Sequence, residues 1–403
     1  MLKRPIWNTL IQILGKVLSV GISLVTTGIL TRKLNIDSYG NFVLITSTFV
    51  FLDSLADFGT KIIGVREMAR GDKKFVKGIF WLRSVMAGVA TAGGLLMVGW
   101  WNGFAGFRGS AVMALVMIGL TSLAGFLEIV WQTQQKMGKK VMVDLLFPLL
   151  FLGWIVTSNE ISLGWVFGVY VLARALSLMG GYWWVKNDWS FEGYKKIDKE
   201  TLIRVFKVTW PMGVYMLAFA SYDRLVDSVM IKTFLGAKEV AWYGLAYKMY
   251  GVLIQPAYFF VNSIFPLLSG KNEGKKKLFW ESAGLLLVGV VILIVGVEMV
   301  APWMVTTLAG NEFEPAVEVI RILALGCLFS YFGHLVGFSL ISKGGQGEMV
   351  KIAGIGLVFN VVLNYLLIPR FGIIGAAYVT VGNEALGLGL MTWMLRKKLQ
   401  NLP

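Results

Sequence analysis

Long apolar runs recur along the whole chain, separated by short polar loops. The runs show no alternation of polar and apolar positions and are too long for strands, so they predict helices. A helix needs about 20 apolar residues to cross the hydrocarbon of a bilayer. The pattern predicts about twelve transmembrane helices, at residues 8–31, 40–64, 76–101, 110–133, 141–158, 162–185, 205–235, 240–267, 279–303, 316–341, 349–368 and 373–396.

The longest polar stretch, residues 186–207, divides these spans six and six. It predicts an N-terminal six-helix lobe at 1–190, a cytoplasmic linker at 191–204 and a C-terminal six-helix lobe at 205–403. The halves are faintly alike, because Ala175 with Trp183 matches Ala385 with Trp393 at the same spacing. Six crossings per half predict a parallel repeat within an all-α integral membrane protein.

Composition and charge support a membrane protein. The chain is 56% hydrophobic, and only 15% of its residues are charged, against roughly a quarter in soluble domains. Of the 38 Lys and Arg residues, 25 lie in one set of alternating loops and 7 in the other. This bias predicts a multi-pass membrane protein with both termini in the cytoplasm. The same distribution argues against nucleic acid as the partner of this +15 chain.

Two predicted spans carry continuous polar stripes. In the first span Gln12, Lys16, Ser19 and Ser23 follow at helical steps of three or four. The eighth span repeats the pattern with Lys248, Gln255, Tyr258 and Asn262. Charges inside a bilayer usually face a cavity or a partner, so the stripes predict a hydrated interior path. For the serines, a helix-packing surface remains an alternative.

Other charged residues lie inside predicted spans, and local explanations compete for several of them. Lys61 with Asp57 and Arg224 with Asp227 have the spacing of neutralising pairs on one helix. Near helix ends, Arg83, Glu128 and Asp144 are expected to extend towards the membrane surface. The lone His334 is interpreted as a hydrogen-bonded interior group, with a proton carrier as the alternative.

An interior path lined by Lys and Arg predicts an anionic substrate, and a diphosphate offers such donors several acceptor oxygens. The candidate anion contacts are Lys16, Arg174, Arg224 and Lys248, with the amide and hydroxyl groups of the stripes as contacts for sugar. The acids Asp53, Asp57, Asp223, Asp227 and Glu384 are candidates for counter-charges or for binding a coupling ion, H⁺ or Na⁺.

Enzyme chemistry has no support in the sequence. No Gly-rich phosphate loop, HExxH or CxxC motif is present, and a single His excludes a multi-His metal site. We therefore expect no catalytic residue, no metal site and no cofactor beyond a coupling ion.

A set of short motifs is spread from one end of the chain to the other. They are Leu30–Leu34, Tyr39–Phe42, Asp57–Gly59, Val65–Glu67, Asp227–Ile231, Tyr243–Tyr247, Phe359–Asn364, Ile368–Gly372 and Gly375–Ala377. In these motifs and their order the chain resembles the Wzx-type polysaccharide flippases, of the O-antigen and oligosaccharide class, within the superfamily that includes the MATE multidrug exporters and the lipid II flippases.

The resemblance implies two six-helix lobes around a central cavity that opens alternately to each face. It also implies translocation of an undecaprenyl-diphosphate-linked oligosaccharide from the cytoplasmic to the outer leaflet, with no bond made or broken. The expected partners are this lipid-linked glycan, membrane lipids, and a glycan polymerase and glycosyltransferases. The alternatives are a MATE-like multidrug or cation antiporter, whose cationic cargo a Lys/Arg-lined path disfavours, and a membrane glycan polymerase or ligase.

Overall fold

The computed structural model describes residues 3–185, 197–269 and 274–400, and within these ranges the chain folds into helices joined by short turns. Contacts between residues divide it into two compact units, Met1–Ala220 (unit 1) and Ser221–Pro403 (unit 2). The all-α fold predicted from the apolar runs is confirmed.

Unit 1 contains eight of the described α-helices. They are α1 (Lys3–Lys33), α2 (Ile36–Asp57), α3 (Thr60–Ala69), α4 (Lys73–Trp100), α5 (Arg108–Thr133), α6 (Met137–Thr157), α7 (Leu163–Val185) and α8 (Lys199–Ala220).

Unit 2 begins with a π-helical turn, Ser221–Leu225. The described α-helices that follow are α9 (Val226–Phe234), α10 (Ala237–Leu253), α11 (Gln255–Ser269), α12 (Lys275–Ala309), α13 (Ala316–Ser342) and α14 (Gln346–Gln400).

Helical structure covers every predicted span. In the described part of the chain, ten helical segments are long and apolar enough to cross a membrane. One of them, α14, includes both of the last two predicted spans, as two helices joined at the non-helical backbone of Gly372. The predicted eighth span is divided between α10 and α11, of 17 and 15 residues, which are individually too short for that criterion.

Large apolar side chains cover the outside of both units. Trp100 is 88% exposed in unit 1, and Met299 is 78% exposed in unit 2. Whole helix faces of this kind are typical of contact with lipid, since a soluble surface rarely exposes such a continuous apolar area. The exposure supports placing these helices in a bilayer.

The core of unit 1 is formed where α3, α4, α5 and α8 meet. Phe75, Ile79, Phe126 and Trp131 are fully buried there. At the other side of the unit, α1 packs closely on α6, because a Cβ on Gly15 would lie only 2.4 Å from Val141 Cγ1. Glycine at this position therefore permits the helix contact.

In unit 2 the central element is α13, which packs against α10, α11, α12 and α14. Its buried side chains include Leu323, Cys327 and Leu335, which are completely enclosed. The long α12 instead leaves many of its apolar side chains exposed, among them Ile292 and Met299. Unit 2 therefore has one buried central helix, and α12 lies on its outside.

The second predicted span is broken by two residues in left-handed conformation. Phe58 has φ 45° and Gly59 has φ 73°. Gly59 also lies against α8, since a Cβ there would be 2.7 Å from Met212 Cβ, and a Cβ on Gly213 would equally meet the Phe58 ring at 2.7 Å. Bulk cannot be added on either side, so the two glycines fix α8 against this break.

The N-termini of α4 and α8 are tied by reciprocal contacts. Asp72 caps α4 by accepting from the Phe75 amide at 2.9 Å, and it pairs with Arg204 of α8 at 3.2 Å. Asp198 accepts from the Thr201 amide at 2.7 Å and pairs with Lys74 of α4 at 3.1 Å. Each helix thus supplies a cation to the other's capping acid.

The predicted division of the chain at a linker, 191–204, remains a prediction. Residues 186–196 lie outside the described residues, and the remainder of the linker includes the first turns of α8. The predicted seventh span is divided between the two units. Its part within α8 belongs to unit 1, and its residues from Ser221 onward belong to unit 2.

Candidate functional site

A buried ion pair between Asp57 and Arg83 lies inside unit 1. Arg83 Nη1 donates both to Asp57 Oδ1 and to Thr60 Oγ1, the latter at 2.7 Å. Arg83 Nε donates to the carbonyl oxygen of Ser122 at 2.9 Å. The two charged residues are only 6% and 3% exposed. Since opposite charges and neutral acceptors satisfy the guanidinium, this pair is built as a fixed structural contact.

The local sequence creates the space for this pair. Helix α2 ends at Asp57, and the break at Phe58 and Gly59 turns the chain before α3 begins. On α5, a Cβ added to Gly125 would lie 2.3 Å from Arg83 Nη2. Glycine at 125 therefore makes room for the guanidinium against α5.

A chain of ion pairs continues along α3, α5 and α6. Lys61 Nζ lies 2.8 Å from Glu128 Oε2, and Lys140 Nζ lies 3.7 Å from the same oxygen. Lys140 also contacts Asp144 at 2.5 Å. Two acids and two bases alternate here, so the group is close to neutral as a whole.

Arg174 differs from these paired cations. It lies at the centre of α7, eleven residues from either end, which is about 16 Å along the helix axis. Among the described residues it forms no ion pair within salt-bridge distance; its guanidinium carbon lies 5.7 Å from the centre of the Phe147 ring. Asp53 of α2 is within electrostatic range of Arg174 and likewise has no hydrogen-bonded partner in the described ranges. This mid-helix charge is the clearest candidate anion contact of unit 1.

The polar stripe of α1 is accessible. Gln12 and Lys16 are exposed, whereas Ser19 and Ser23 are half-buried. No salt bridge to Lys16 occurs in the part of the chain that the structure covers. Gly15, next to Lys16, faces α6 and leaves the lysine on another side of the helix.

In unit 2, Asp227 lies in a buried pocket of neutral groups. It is 1% exposed, and its Oδ2 accepts from the Tyr243 hydroxyl at 2.6 Å. Its Oδ1 accepts from Asn364 Nδ2 at 2.7 Å and from Asn360 Nδ2 at 3.3 Å. Thr380 Oγ1 lies 2.9 Å from the Tyr243 oxygen. No cationic side chain in the described ranges pairs with this carboxylate, and the buried Asn364 Oδ1 has no hydrogen-bond partner there.

Two further tyrosines of α10 repeat this arrangement. Tyr247 donates to Asp223 Oδ1 at 2.7 Å, and Tyr250 donates to Glu384 Oε1 at 3.2 Å. Together with Tyr243 they follow at steps of four and three, so they lie on one face of the helix. Adjacent rings along this face are 5.8 and 5.7 Å apart between centroids. Asp227, Asp223 and Glu384 therefore each accept a hydrogen bond from a different tyrosine of α10.

The cations of unit 2 lie beside this array. Arg224 is exposed and pairs with Asp223 at 3.3 Å, and its guanidinium lies 5.9 Å from the Tyr247 ring centre. Lys248, half-buried, is close enough to Arg224 for their charges to repel each other. Two cations this close together favour binding of an anion.

The remaining predicted contacts follow the junction of α10 and α11. Gln255 donates to the Gly251 carbonyl oxygen at 3.2 Å. Tyr258 is 40% exposed and packs its ring edge-on to His334 at 5.7 Å. Asn262, one turn further along, is exposed. These polar groups lie on α11 within unit 2, and their lining of a path for substrate stays a prediction.

The local explanations offered for three cations are wrong. Lys61 pairs with Glu128 instead of Asp57, and Arg224 pairs with Asp223 instead of Asp227. In these two cases a partner from another helix, or a neighbour in the π-helical turn, replaces the partner at helical spacing. Arg83 does not extend to the membrane surface, because it is buried against Asp57.

Sequence analysis alone does not identify the three tyrosines that contact the acids of unit 2. Tyr243, Tyr247 and Tyr250 lie in an apolar run, although their spacing places them on one helix face. Their significance depends on acids from the π-helical turn, α9 and α14, which only the fold brings to α10.

A family model described as "Polysaccharide biosynthesis protein" matches residues 6–272. The chain belongs to the polysaccharide biosynthesis protein family. The match covers unit 1 from residue 6 onward and continues into unit 2 through α9, α10 and α11.

Archaeal proteins are among the curated relatives of this chain. An uncharacterized membrane protein of Methanocaldococcus jannaschii is 28% identical over 57% of this chain, and the match spans 47% of that protein's length. A probable flippase of Haloferax volcanii is 24% identical over 72% of this chain and 67% of its own. A probable low-salt glycan biosynthesis flippase of the same organism is 19% identical, with 91% of this chain and 78% of its own covered.

Solved structures share the fold at low identity. An inward-facing multidrug resistance MATE family transporter of the MOP superfamily matches with a TM-score of 0.75 and 11% identity, covering 95% of this chain and 96% of its own. The lipid II flippase MurJ, in an inward closed conformation, matches with a TM-score of 0.76 and 12% identity over 96% and 87%. The curated relatives whose activity is named are probable flippases rather than glycan-joining enzymes, in agreement with the expectation of a transporter.

Proposed function

We propose that this protein is a flippase of glycan biosynthesis, and that it moves an undecaprenyl-diphosphate-linked oligosaccharide from the cytoplasmic to the outer leaflet by alternating access. Membership of the polysaccharide biosynthesis family and the two Haloferax relatives support the class of cargo. The observation that carries the proposal is the unpaired Arg174 at the centre of α7.

A charge at that depth costs several kcal/mol in hydrocarbon. Arg174 cannot reach a membrane surface that is about 16 Å away along the helix, because its side chain extends only a few ångströms. The charge is tolerated if it faces water, and a hydrated cation in mid-membrane offers a transient partner to a diphosphate. In unit 2, Arg224 and Lys248 lie close to each other and offer the same kind of contact.

The polar stripes suit the rest of the headgroup. Amide and hydroxyl groups on α1 and α11 bind sugar hydroxyls without selecting for one charge. They are Gln12, Ser19, Ser23, Gln255, Tyr258 and Asn262. We propose these groups, together with Lys16, as glycan contacts along the transport path, each within its own unit, while the lipid tail remains in the bilayer.

Asp227 is the proposed site of the coupling ion. A buried carboxylate that is hydrogen-bonded only to neutral groups is costly unless a proton or a cation accompanies it. Oxygen ligands suit a hard cation, and the buried Asn364 Oδ1 without a partner adds a free acceptor to the pocket. Either H⁺ or Na⁺ fits this pocket. Asp223 and Glu384 extend the set of acids that the tyrosines of α10 contact.

The proposed topology places both termini in the cytoplasm of a bacterial or archaeal-type cell. Lys and Arg residues concentrate in alternating loops that would then all be cytoplasmic. In this orientation the lipid-linked glycan enters from the side where glycosyltransferases make it, and a glycan polymerase is a candidate partner on the outer side.

The test is translocation by purified protein in proteoliposomes. The probe is a fluorescently labelled undecaprenyl-diphosphate-linked N-acetylglucosamine, and quencher added outside measures the fraction in the outer leaflet. We expect the wild-type protein to accelerate equilibration between leaflets, and Arg174→Gln or Lys248→Gln to slow it by tenfold or more, about the effect of losing one charge-assisted contact.

Arg321→Gln is the matched control, because Arg321 pairs with Glu298 at 3.2 Å and both are well exposed. It is expected to translocate at the wild-type rate. Wild-type protein that leaves the probe in its original leaflet, while it exports a cationic dye, would replace the proposal with the multidrug alternative.

A further inference from the structure

A basic pocket lies at one end of unit 2. It is formed by residues at the C-terminal end of α13 and at the two ends of α14. Its open volume is about 460 Å³, within the range of small-ligand sites. The residues that line this basic pocket are Lys343, Glu348, Lys351, Trp393, Met394, Lys397 and Lys398.

The pocket carries an excess of positive charge. Lys398 pairs with Glu348 at 3.3 Å and also donates to the Gly344 carbonyl oxygen. Lys343, Lys351 and Lys397 form no salt bridge within the described residues. Three unneutralised ammonium groups around one concavity create a site for an anion, and phosphate is the anion that lysines commonly bind as point charges.

An apolar groove adjoins the basic pocket. It is lined by Gly354, Ile355, Val358, Phe359 and Leu386, and it shares Lys351 with the basic pocket. Its volume is about 600 Å³, and its other lining residues are apolar. A cationic pocket that continues into a hydrocarbon groove matches a ligand with a phosphate at one end and an aliphatic chain at the other.

The pocket lies at the level of a membrane surface. It is formed by helix ends, and Trp393 is 59% exposed beside Lys397, whose ammonium lies 5.8 Å from the ring centre. Tryptophan prefers the headgroup region, and basic pockets between membrane helices bind anionic lipid headgroups. The lining contains no Asn, Gln, Ser, Thr or Tyr that would recognise sugar hydroxyls, which distinguishes it from the proposed glycan path.

We propose that the basic pocket and its groove bind one anionic phospholipid of the surrounding bilayer. The lipid phosphate contacts Lys343, Lys351 and Lys397, and one acyl chain lies along Ile355 and Phe359. The site is separate from the residues assigned to glycan transport and does not depend on that assignment.

The test is lipid retention by the full-length protein, measured by native mass spectrometry during titration with phosphatidylglycerol or phosphatidylcholine. We expect one phosphatidylglycerol to bind preferentially. The triple variant K343Q/K351Q/K397Q is expected to lose roughly tenfold to hundredfold in affinity, because each cation near an anionic lipid contributes about a fivefold factor.

The matched control is K199Q/K276Q/K277Q, which removes three lysines at other helix starts and changes the net charge equally. It should bind phosphatidylglycerol as the wild type does. A second variant, Ile355→Trp, fills the groove while it leaves the lysines intact, and should weaken the phospholipid but not inorganic phosphate. K343R/K351R/K397R, which keeps the charge, should retain binding and controls for folding.

Equal affinity for phosphatidylcholine, or equal loss in both triple variants, would overturn the proposal. So would a lysine-dependent preference for undecaprenyl phosphate over phosphatidylglycerol, since the site would then belong to the transported lipid. Competition by inorganic phosphate at the same concentration as the lipid would show that the groove contributes nothing.

Discussion

The two units hold their membrane-embedded acids in different ways. In unit 1, Asp57 is paired with Arg83, and Glu128 and Asp144 are paired with Lys61 and Lys140. In unit 2, Asp227, Asp223 and Glu384 accept hydrogen bonds from tyrosine hydroxyls. Only Asp223 among the three has a salt bridge in the described ranges, and its partner Arg224 is exposed.

This difference separates structural charges from exchangeable ones. A cation from the protein neutralises an acid permanently, so the acid has no need of an ion from solution. An acid held by neutral donors remains available to bind and release a proton or Na⁺. We infer that the paired acids of unit 1, Asp57, Glu128 and Asp144, fix the packing of helices and that Asp227 of unit 2 responds to the ion gradient.

The largest effect is expected when the buried pair of unit 1 is broken. Arg83→Met leaves Asp57 charged and unpaired in the interior, so we expect a loss of about 3–5 kcal/mol in stability. Thermal unfolding of the purified protein in detergent measures it. The double variant Asp57→Leu with Arg83→Met removes both charges and should recover most of the loss.

A double variant as unstable as Arg83→Met would contradict this account of the pair. The effect would then arise from lost packing around Gly125 and Thr60 instead of an uncompensated charge.

Local sequence patterns predicted the helices well and their charge pairing poorly. Each apolar run coincides with helical structure because membrane thickness and backbone hydrogen bonding impose the same solution on every span. Pairing depends on which helices meet. Asp57 and Arg83 are 26 residues apart, and helical spacing reports only partners three or four residues away.

The candidate site could be predicted only in part, because the sequence shows the charges but not which helices meet. The acids and cations stood out as charges inside apolar runs, and Asn360 and Asn364 were visible as polar residues. Tyr243 and Thr380 carry no such signal, because neither is unusual in a membrane helix. Their role became evident only when α10 and α14 were placed next to Asp227.

The next effect concerns ion binding at Asp227. If Na⁺ is the coupling ion, saturating Na⁺ at about 100 times its dissociation constant should stabilise the protein by about 2.7 kcal/mol. If the ion is H⁺, lowering the pH should do so without Na⁺. Asp227→Asn should remove the response in either case while the protein stays folded. Melting temperatures at constant ionic strength, with choline replacing Na⁺, provide the measurement.

A Na⁺ or proton response that survives in Asp227→Asn but disappears in Asp53→Asn would reverse the comparison. It would place the exchangeable acid in unit 1, where Asp53 lacks a hydrogen-bonded partner among the described residues.

A smaller effect is expected from the tyrosine array. Tyr247→Phe removes the hydroxyl that donates a hydrogen bond to Asp223 at 2.7 Å. We expect the free energy of unfolding to fall by about 1–2 kcal/mol. Tyr170→Phe in unit 1 is the control, because the Tyr170 ring packs against Phe147 and Phe151 at 4.8 Å between centroids. We expect it to change stability little. Equal losses in both variants would mean that the hydroxyl of Tyr247 contributes nothing specific.

The smallest effect is expected at the reciprocal contacts of α4 and α8. Hydrogen bonds from Thr201, together with nearby Lys74, hold the pKa of Asp198 well below its ordinary value. A lowered pKa stabilises the fold at neutral pH, and that contribution is lost only as the pH falls through the lowered value. Asp198→Asn should therefore weaken the protein slightly at neutral pH, and less so in high salt.

Thermal unfolding at two salt concentrations measures this difference. Asp72→Asn, which affects the partner contact with Arg204, should behave in the same way. A loss in Asp198→Asn that grows with salt would exclude an ion pair as its cause.

The most direct test of the account is gradient-driven flipping by Asp227→Asn, compared with wild-type protein. Both are reconstituted with the labelled undecaprenyl-diphosphate probe, and translocation is followed with and without an imposed Na⁺ or proton gradient. We predict that a gradient increases the wild-type rate, and that Asp227→Asn flips the probe at one rate regardless of the gradient. A variant that keeps the full gradient response, or a wild-type protein that moves no probe under any gradient, would contradict it.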